Sequence, residues 1–120
     1  MLTKEEIFAL PALTLAIIGD GVHTLHVRKT LVCAEKKLRN LTDEVRKRVN
    51  ARAQAAKAEV ILPLLNEAEA QIFNRGKNAK VNQIPKICTP LEYHLATAFE
   101  AVLGYLYLIN DPRLDALLVQ

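Results

Sequence analysis

Thr97-Ala98-Phe99-Glu100-Ala101-Val102-Leu103-Gly104-Tyr105 is an apolar helical run interrupted by a single carboxylate. Just upstream, Thr89-Pro90-Leu91-Glu92 supplies a cap, a proline at the first helical position and a glutamate at the third. That combination predicts a helix running to about Ile109. A second apolar run carries one acid in the same way, Ile17-Ile18-Gly19-Asp20-Gly21-Val22. A lone acid among apolar residues is costly to bury unless something pairs with it. Two such acids far apart in sequence suggest one shared site, and a hard cation such as magnesium is the simplest partner for their oxygens. Gly19, Gly21 and Gly104 each weaken a helix by ~1 kcal/mol relative to Ala. Close approach of two backbones would compensate, letting Asp20 and Glu100 face each other across a tight helix pair.

The rest of the chain reads as helices too. Ala and Leu dominate, Gly is scarce and Pro sits near helix ends, which disfavours a strand-rich fold. Thr3-Lys4-Glu5-Glu6 is a capping box for a short first helix. From Ala12 to about Lys37 the pattern is helical, and all-round apolarity before Gly19 suits a central helix or one shared with a partner chain. After Gly21, Val22, Leu25 and Val32 share one face, with Arg28, Lys29 and Lys36 on another. Thr42 is expected to cap a helix over 43–49, and Asn50 one over 51–62 that stops near Pro63. Asn66 starts another, ending at Arg75-Gly76, and Asp111-Pro112 opens a last short one. At 120 residues the chain is expected to form a single domain, 1–120.

Composition excludes some classes. Ile7 to Ile18, the longest apolar stretch, is interrupted by Pro11 and Thr14 and is too short to cross a bilayer, so no membrane partner is expected. The mixed-charge start, Lys4-Glu5-Glu6, lacks a secretory pattern. Cys33 and Cys88 form no CxxC, and two reduced thiols fit a cytoplasmic protein or a mature organellar one. Cys33 is expected to be a small buried residue, and His26 and His94 have no ligand-spaced partner. Charge is unevenly placed: residues 28–86 carry 14 Lys/Arg against 6 Asp/Glu, while both ends are net acidic. A basic middle suggests a polyanion-binding face, nucleic acid above all.

Five ordered motifs then converge. The Asp20 and Glu100 segments resemble the two acidic motifs of the ribonuclease III catalytic domain. The likeness is greatest to the Mini-ribonuclease III branch, which lacks a double-stranded RNA-binding domain. Val49-Asn50-Ala51-Arg52-Ala53-Gln54-Ala55 resembles the middle-helix junction of that branch. Arg75-Gly76-Lys77-Asn78-Ala79-Lys80 resembles its basic loop, and Gly104-Tyr105-Leu106-Tyr107-Leu108 completes its C-terminal signature. The resemblance spans about Ala12 to Leu118.

The resemblance implies an all-α, dimeric endonuclease domain of about six to seven helices. It implies a magnesium-dependent endoribonuclease cutting double-stranded RNA to 5′-phosphate and 3′-hydroxyl ends, with a large-subunit ribosomal RNA precursor stem as substrate. Asp20 and Glu100 match the catalytic, metal-binding carboxylates; Arg75, Lys77, Asn78 and Lys80 are the expected RNA contacts, with Arg46, Lys47, Arg48 and Arg52 as further cations. Fuller ribonuclease III sites have additional acids where this chain has Ala16 and Thr97, and His23-Thr24 replaces an aromatic–acid pair. The missing acids at Ala16 and Thr97 fit the Mini branch, leave a sparse metal shell, and are the best support for the alternative, a non-catalytic RNA-binding domain of the same fold.

Overall fold

Capping chemistry sets most of the helix starts. In the computed structural model, which describes residues 1–34 and 37–120, the chain forms seven α-helices. They are α1 (Lys4–Phe8), α2 (Ala12–Cys33), α3 (Leu38–Val49), α4 (Ala51–Ile61), α5 (Glu67–Lys77), α6 (Pro90–Leu108) and α7 (Arg113–Leu118). A 3₁₀ turn at Leu62–Leu64 accommodates Pro63 after α4. Thr3, Asn66 and Thr89 each form a reciprocal capping box with Glu6, Glu69 and Glu92, and Asn50 Oδ1 accepts the Ala53 N–H at 2.8 Å. Each cap satisfies backbone donors that a helix start otherwise leaves to water.

α6 is the central helix. Every residue from Leu95 to Leu106 is buried except Glu100, which is half-buried. α2, α4 and α5 pack around it, with Phe73, Phe99, Leu15, Ile61 and Leu103 among the largest fully enclosed side chains. Burying each such side chain stabilises the fold by about 1.5–3 kcal/mol. The backbones of α2 and α6 meet where both helices lack side chains. A β-carbon at Gly19 would lie 2.9 Å from Glu100 Cα and closer still to its carbonyl, and one at Gly104 would lie 2.8 Å from the Leu15 carbonyl carbon.

Four expectations are corrected. Gly21 takes no part in that crossing: a β-carbon there would meet nothing within 4 Å. Gly76 lies in the last turn of α5, which ends one residue later at Lys77, and is pressed against Ala98 of α6. Thr42 lies inside α3, its hydroxyl donating to the Leu38 carbonyl at 3.4 Å, since the helix already starts at Leu38. Cys33 is exposed, at the end of α2 where no other helix covers it. The face shared by Leu25 and Val32 is exposed as well; His23, Val27 and Leu31 are the residues α2 buries in that half. Lys36, expected on its polar face, lies outside the described residues.

An ion pair to a buried carboxylate ties the periphery down. Arg113 forms a bidentate pair with the fully buried Glu69 (2.6 and 2.7 Å) and donates to the Leu64 carbonyl, which fastens α7 to the start of α5. A forked guanidinium meeting both oxygens of one carboxylate is the strong form of such a pair. Among the described residues, no helix is long and apolar enough to cross a membrane.

Candidate active site

The α2–α6 crossing brings Asp20 and Glu100 together. Gly19 packs on the backbone of Glu100, so the next residue of α2, Asp20, lies at the edge of the crossing. Asp20 itself is exposed, whereas Glu100 is half-buried. Burial, first, and then the adjoining Asp20 carboxyl push the Glu100 carboxyl up to about 8. Two carboxyls sharing a partly dry site cannot both ionise cheaply, and a cation between them removes the conflict.

Sequence reasoning missed two participants. Gln54, on α4, and His23, on α2, are both buried. The Gln54 amide nitrogen lies 3.1 Å from His23 Nδ1 and donates to Glu100 Oε2 at 3.4 Å. His23 stacks edge-on against Phe99, with ring centroids 5.0 Å apart. Burial, helped by His26 and Lys57, lowers its imidazole to about 4, so it is neutral at physiological pH. A neutral imidazole that accepts at Nδ1 holds its proton at Nε2. Asn50 capping α4 places Gln54 one turn into that helix. A buried polar residue in the otherwise Ala-rich run 51–58 was the available signal.

The positions of the absent acids are filled differently. Ala16 is buried, and the buried Thr97 donates its hydroxyl to the Tyr93 carbonyl at 3.1 Å. Among the described residues no third His, Cys, Asp or Glu joins the pair. The pair offers two carboxylates, oxygen groups of the kind that hard divalent cations take.

The basic segment after α5 separates into two parts. Lys77, Asn78 and Lys80 are exposed and, with His94, line an open cavity of about 720 Å³. Arg75, expected to face RNA, is half-buried and points the other way. Its guanidinium donates to the carbonyls of Phe8 and Leu10 and sits 4.8 Å from the centre of the Phe8 ring. It pins α5 to the α1–α2 turn.

With this geometry in view, the comparisons are specific. Residues 13–111 match the Ribonuclease III domain family. The chain belongs to the ribonuclease III family. It is 44% identical to Mini-ribonuclease 3 of Thermoanaerobacter sp., covering 92% of this chain and 79% of that one. It is 40% identical to Mini-ribonuclease 3 of Gloeobacter violaceus, covering 94% and 83%. A crystal structure of a Fusobacterium nucleatum protein superposes with a TM-score of 0.86 at 30% identity, covering 92% of this chain and 90% of that one. The Mini-ribonuclease III resemblance and the all-helical ribonuclease III fold are both borne out. This ribonuclease III domain is an endoribonuclease, of a family that is generally metal-dependent.

Proposed function

We propose that this single-domain chain, residues 1–120, is a magnesium-dependent nuclease of double-stranded RNA that works as a two-fold dimer in the cytoplasm. Stems of the large-subunit ribosomal RNA precursor are the proposed substrate. The observation that carries the reading is the convergence of Asp20 and Glu100 at a close helix crossing that Gly19 and Gly104 permit.

Magnesium, when bound, supplies a Lewis acid that offsets charge on phosphate oxygens and eases deprotonation of an attacking water. Asp20 and Glu100 would hold it. Gln54, anchored by His23, fixes the Glu100 carboxylate by donating to Oε2. In-line attack leaves a 5′-phosphate and a 3′-hydroxyl. Lys77, Asn78 and Lys80 face the duplex, where A-form RNA is recognised through phosphates and 2′-hydroxyls. Arg75 serves this surface by anchoring α5 rather than by touching RNA.

An exposed apolar stripe on α2 supports the dimer. Leu13, Ile17, Leu25 and Val32 lie along it, Ile17 being 74% exposed. Gly21 lies in the same stripe, where the single chain gives it no packing role. Large apolar patches of this kind are covered by partners, and closed two-fold pairing is the commonest way to do so.

Incubating the protein with magnesium and a duplex carrying the ribosomal precursor stem, beside an Asp20→Asn variant, tests the reading. Wild type should cut both strands and the variant neither. Absence of cleavage of every duplex offered by the wild type would sink it.

A further inference from the structure

A second cavity, of about 440 Å³, has His23 in its wall and lies between α2, α4, the end of α3 and the end of α7. Three cations line it, Lys47 and Arg48 from α3 and Lys57 from α4, beside the imidazoles of His23 and His26 from α2. No aspartate or glutamate is among the described residues that line it. Leu118 and Val119 supply an apolar wall.

Converging like charges repel unless an anion joins them. Among the described residues, two of these three cations have internal partners. Arg48 reaches Glu44 at 3.6 Å across a largely exposed pair, and Lys57 donates to the main-chain oxygen of Gln120. A surface pair of that length is worth little and is readily exchanged. Burial lowers the His23 imidazole first, then His26 and Lys57, with Asp20 opposing them.

Position gives the cavity its meaning. Asp20, His23, Val27 and Thr30 follow one another along α2 at helical spacing, and the last three line the cavity. At 1.5 Å of rise per residue, His26 lies about 9 Å along the helix axis from Asp20. An RNA strand running along α2 past Asp20 would meet this cavity next. Lys77 and Lys80 line a separate cavity of their own.

We propose that this cavity is a phosphate subsite, in which Lys47, Arg48 and Lys57 hold a backbone phosphate of the RNA strand adjoining the cleavage position. The assignment rests on the reading of the chain as a nuclease of duplex RNA. The subsite sets register, since phosphate contacts position a nucleic acid without reading its sequence.

The test uses the full chain carrying Asp20→Asn, so that binding is measured without cleavage. Lys47→Gln and Lys57→Gln are added singly, with Lys4→Gln on α1 as a charge-matched control, and duplex RNA affinity is titrated against salt. Each cavity variant should bind several-fold more weakly and lower the slope of log affinity against log salt by about one. The control should change neither. A single neutral methylphosphonate linkage beside the cleavage position should weaken binding to the parent and leave Lys57→Gln unaffected. Parental affinity and slope in both cavity variants would overturn the subsite while leaving the nuclease reading standing. Failure of the parent to bind any duplex at low salt would overturn both. Should Lys57→Gln fail to fold, Lys47→Gln on exposed α3 decides the matter.

Discussion

Gly19 packs directly on the backbone of Glu100, so the half-buried acid of one helix is located by the missing side chain of another. Gly104 meets Leu15 and the Gly19 nitrogen in the same way, the latter at 3.0 Å from where its β-carbon would be. The obstacle in each case is backbone, which cannot rotate aside. Gly19→Ala and Gly104→Ala should each lose about 1–3 kcal/mol or more in denaturant unfolding, despite a better helix propensity. Cleavage should fall further than stability, because the carboxylates separate. An unchanged unfolding midpoint in Gly19→Ala would contradict the crossing.

Stability should depend on pH in a way that a divalent cation removes. The carboxyl of Glu100, raised from 4.5 to about 8, binds more protons folded than unfolded between those values. Its contribution is therefore lost as pH rises through that window. His23, lowered from 6.5 to about 4, acts oppositely and stops contributing slope above pH 6.5. Between about pH 6.5 and 8, in chelator, the Tm should fall as Glu100 ionises beside Asp20. Magnesium should abolish that fall, and so should Glu100→Gln. A decline of the same size in Glu100→Gln would exclude Glu100 as its source.

Gln54 links two buried groups, so its removal should register in two ways. Gln54→Leu leaves His23 Nδ1 without its partner, a loss of about 1–3 kcal/mol for a buried polar atom. It also removes the bond that favours the ionised Glu100 carboxyl. The magnesium concentration for half-maximal cleavage should rise, and the pH–rate profile should move to higher pH. A change in stability alone, with neither shift, would make Gln54 a packing residue only.

Arg75 and Lys77 are two residues apart and should behave differently. Arg75→Gln forfeits its hold on the Phe8 and Leu10 carbonyls and should unfold about 1–3 kcal/mol more easily. Lys77→Gln should melt like the wild type yet bind duplex RNA with a salt slope reduced by about one. Thermal melts and salt titrations on the same two proteins decide between this assignment and its reverse.

Ile17 is the most exposed large apolar residue of α2. If the α2 stripe joins two copies, Ile17→Glu should shift the sedimenting species from dimer to monomer and cut activity. Its unfolding midpoint, measured at dilutions where both proteins are monomeric, should stay within about 0.5 kcal/mol of the wild type. A wild type that sediments as a monomer at every concentration would end the dimer proposal.

The chain's local chemistry determined most of the helices. Thr3, Asn50, Asn66 and Thr89 cap where their side chains say they should, because a cap is a contact between residues three apart. Asp20 and Glu100 stood out because an acid in an apolar run is conspicuous in one dimension, and the motifs around them carried the family likeness. Only the tertiary structure decided which glycines meet a backbone, since Gly19, Gly21 and Gly76 look alike until another helix arrives. Only it turned Arg75 inward, showed Leu25 and Val32 exposed, and joined Gln54 to His23 and Glu100. These are contacts between residues 31 to 67 positions apart. Nothing in local propensity encodes them; they follow from how the helices cross.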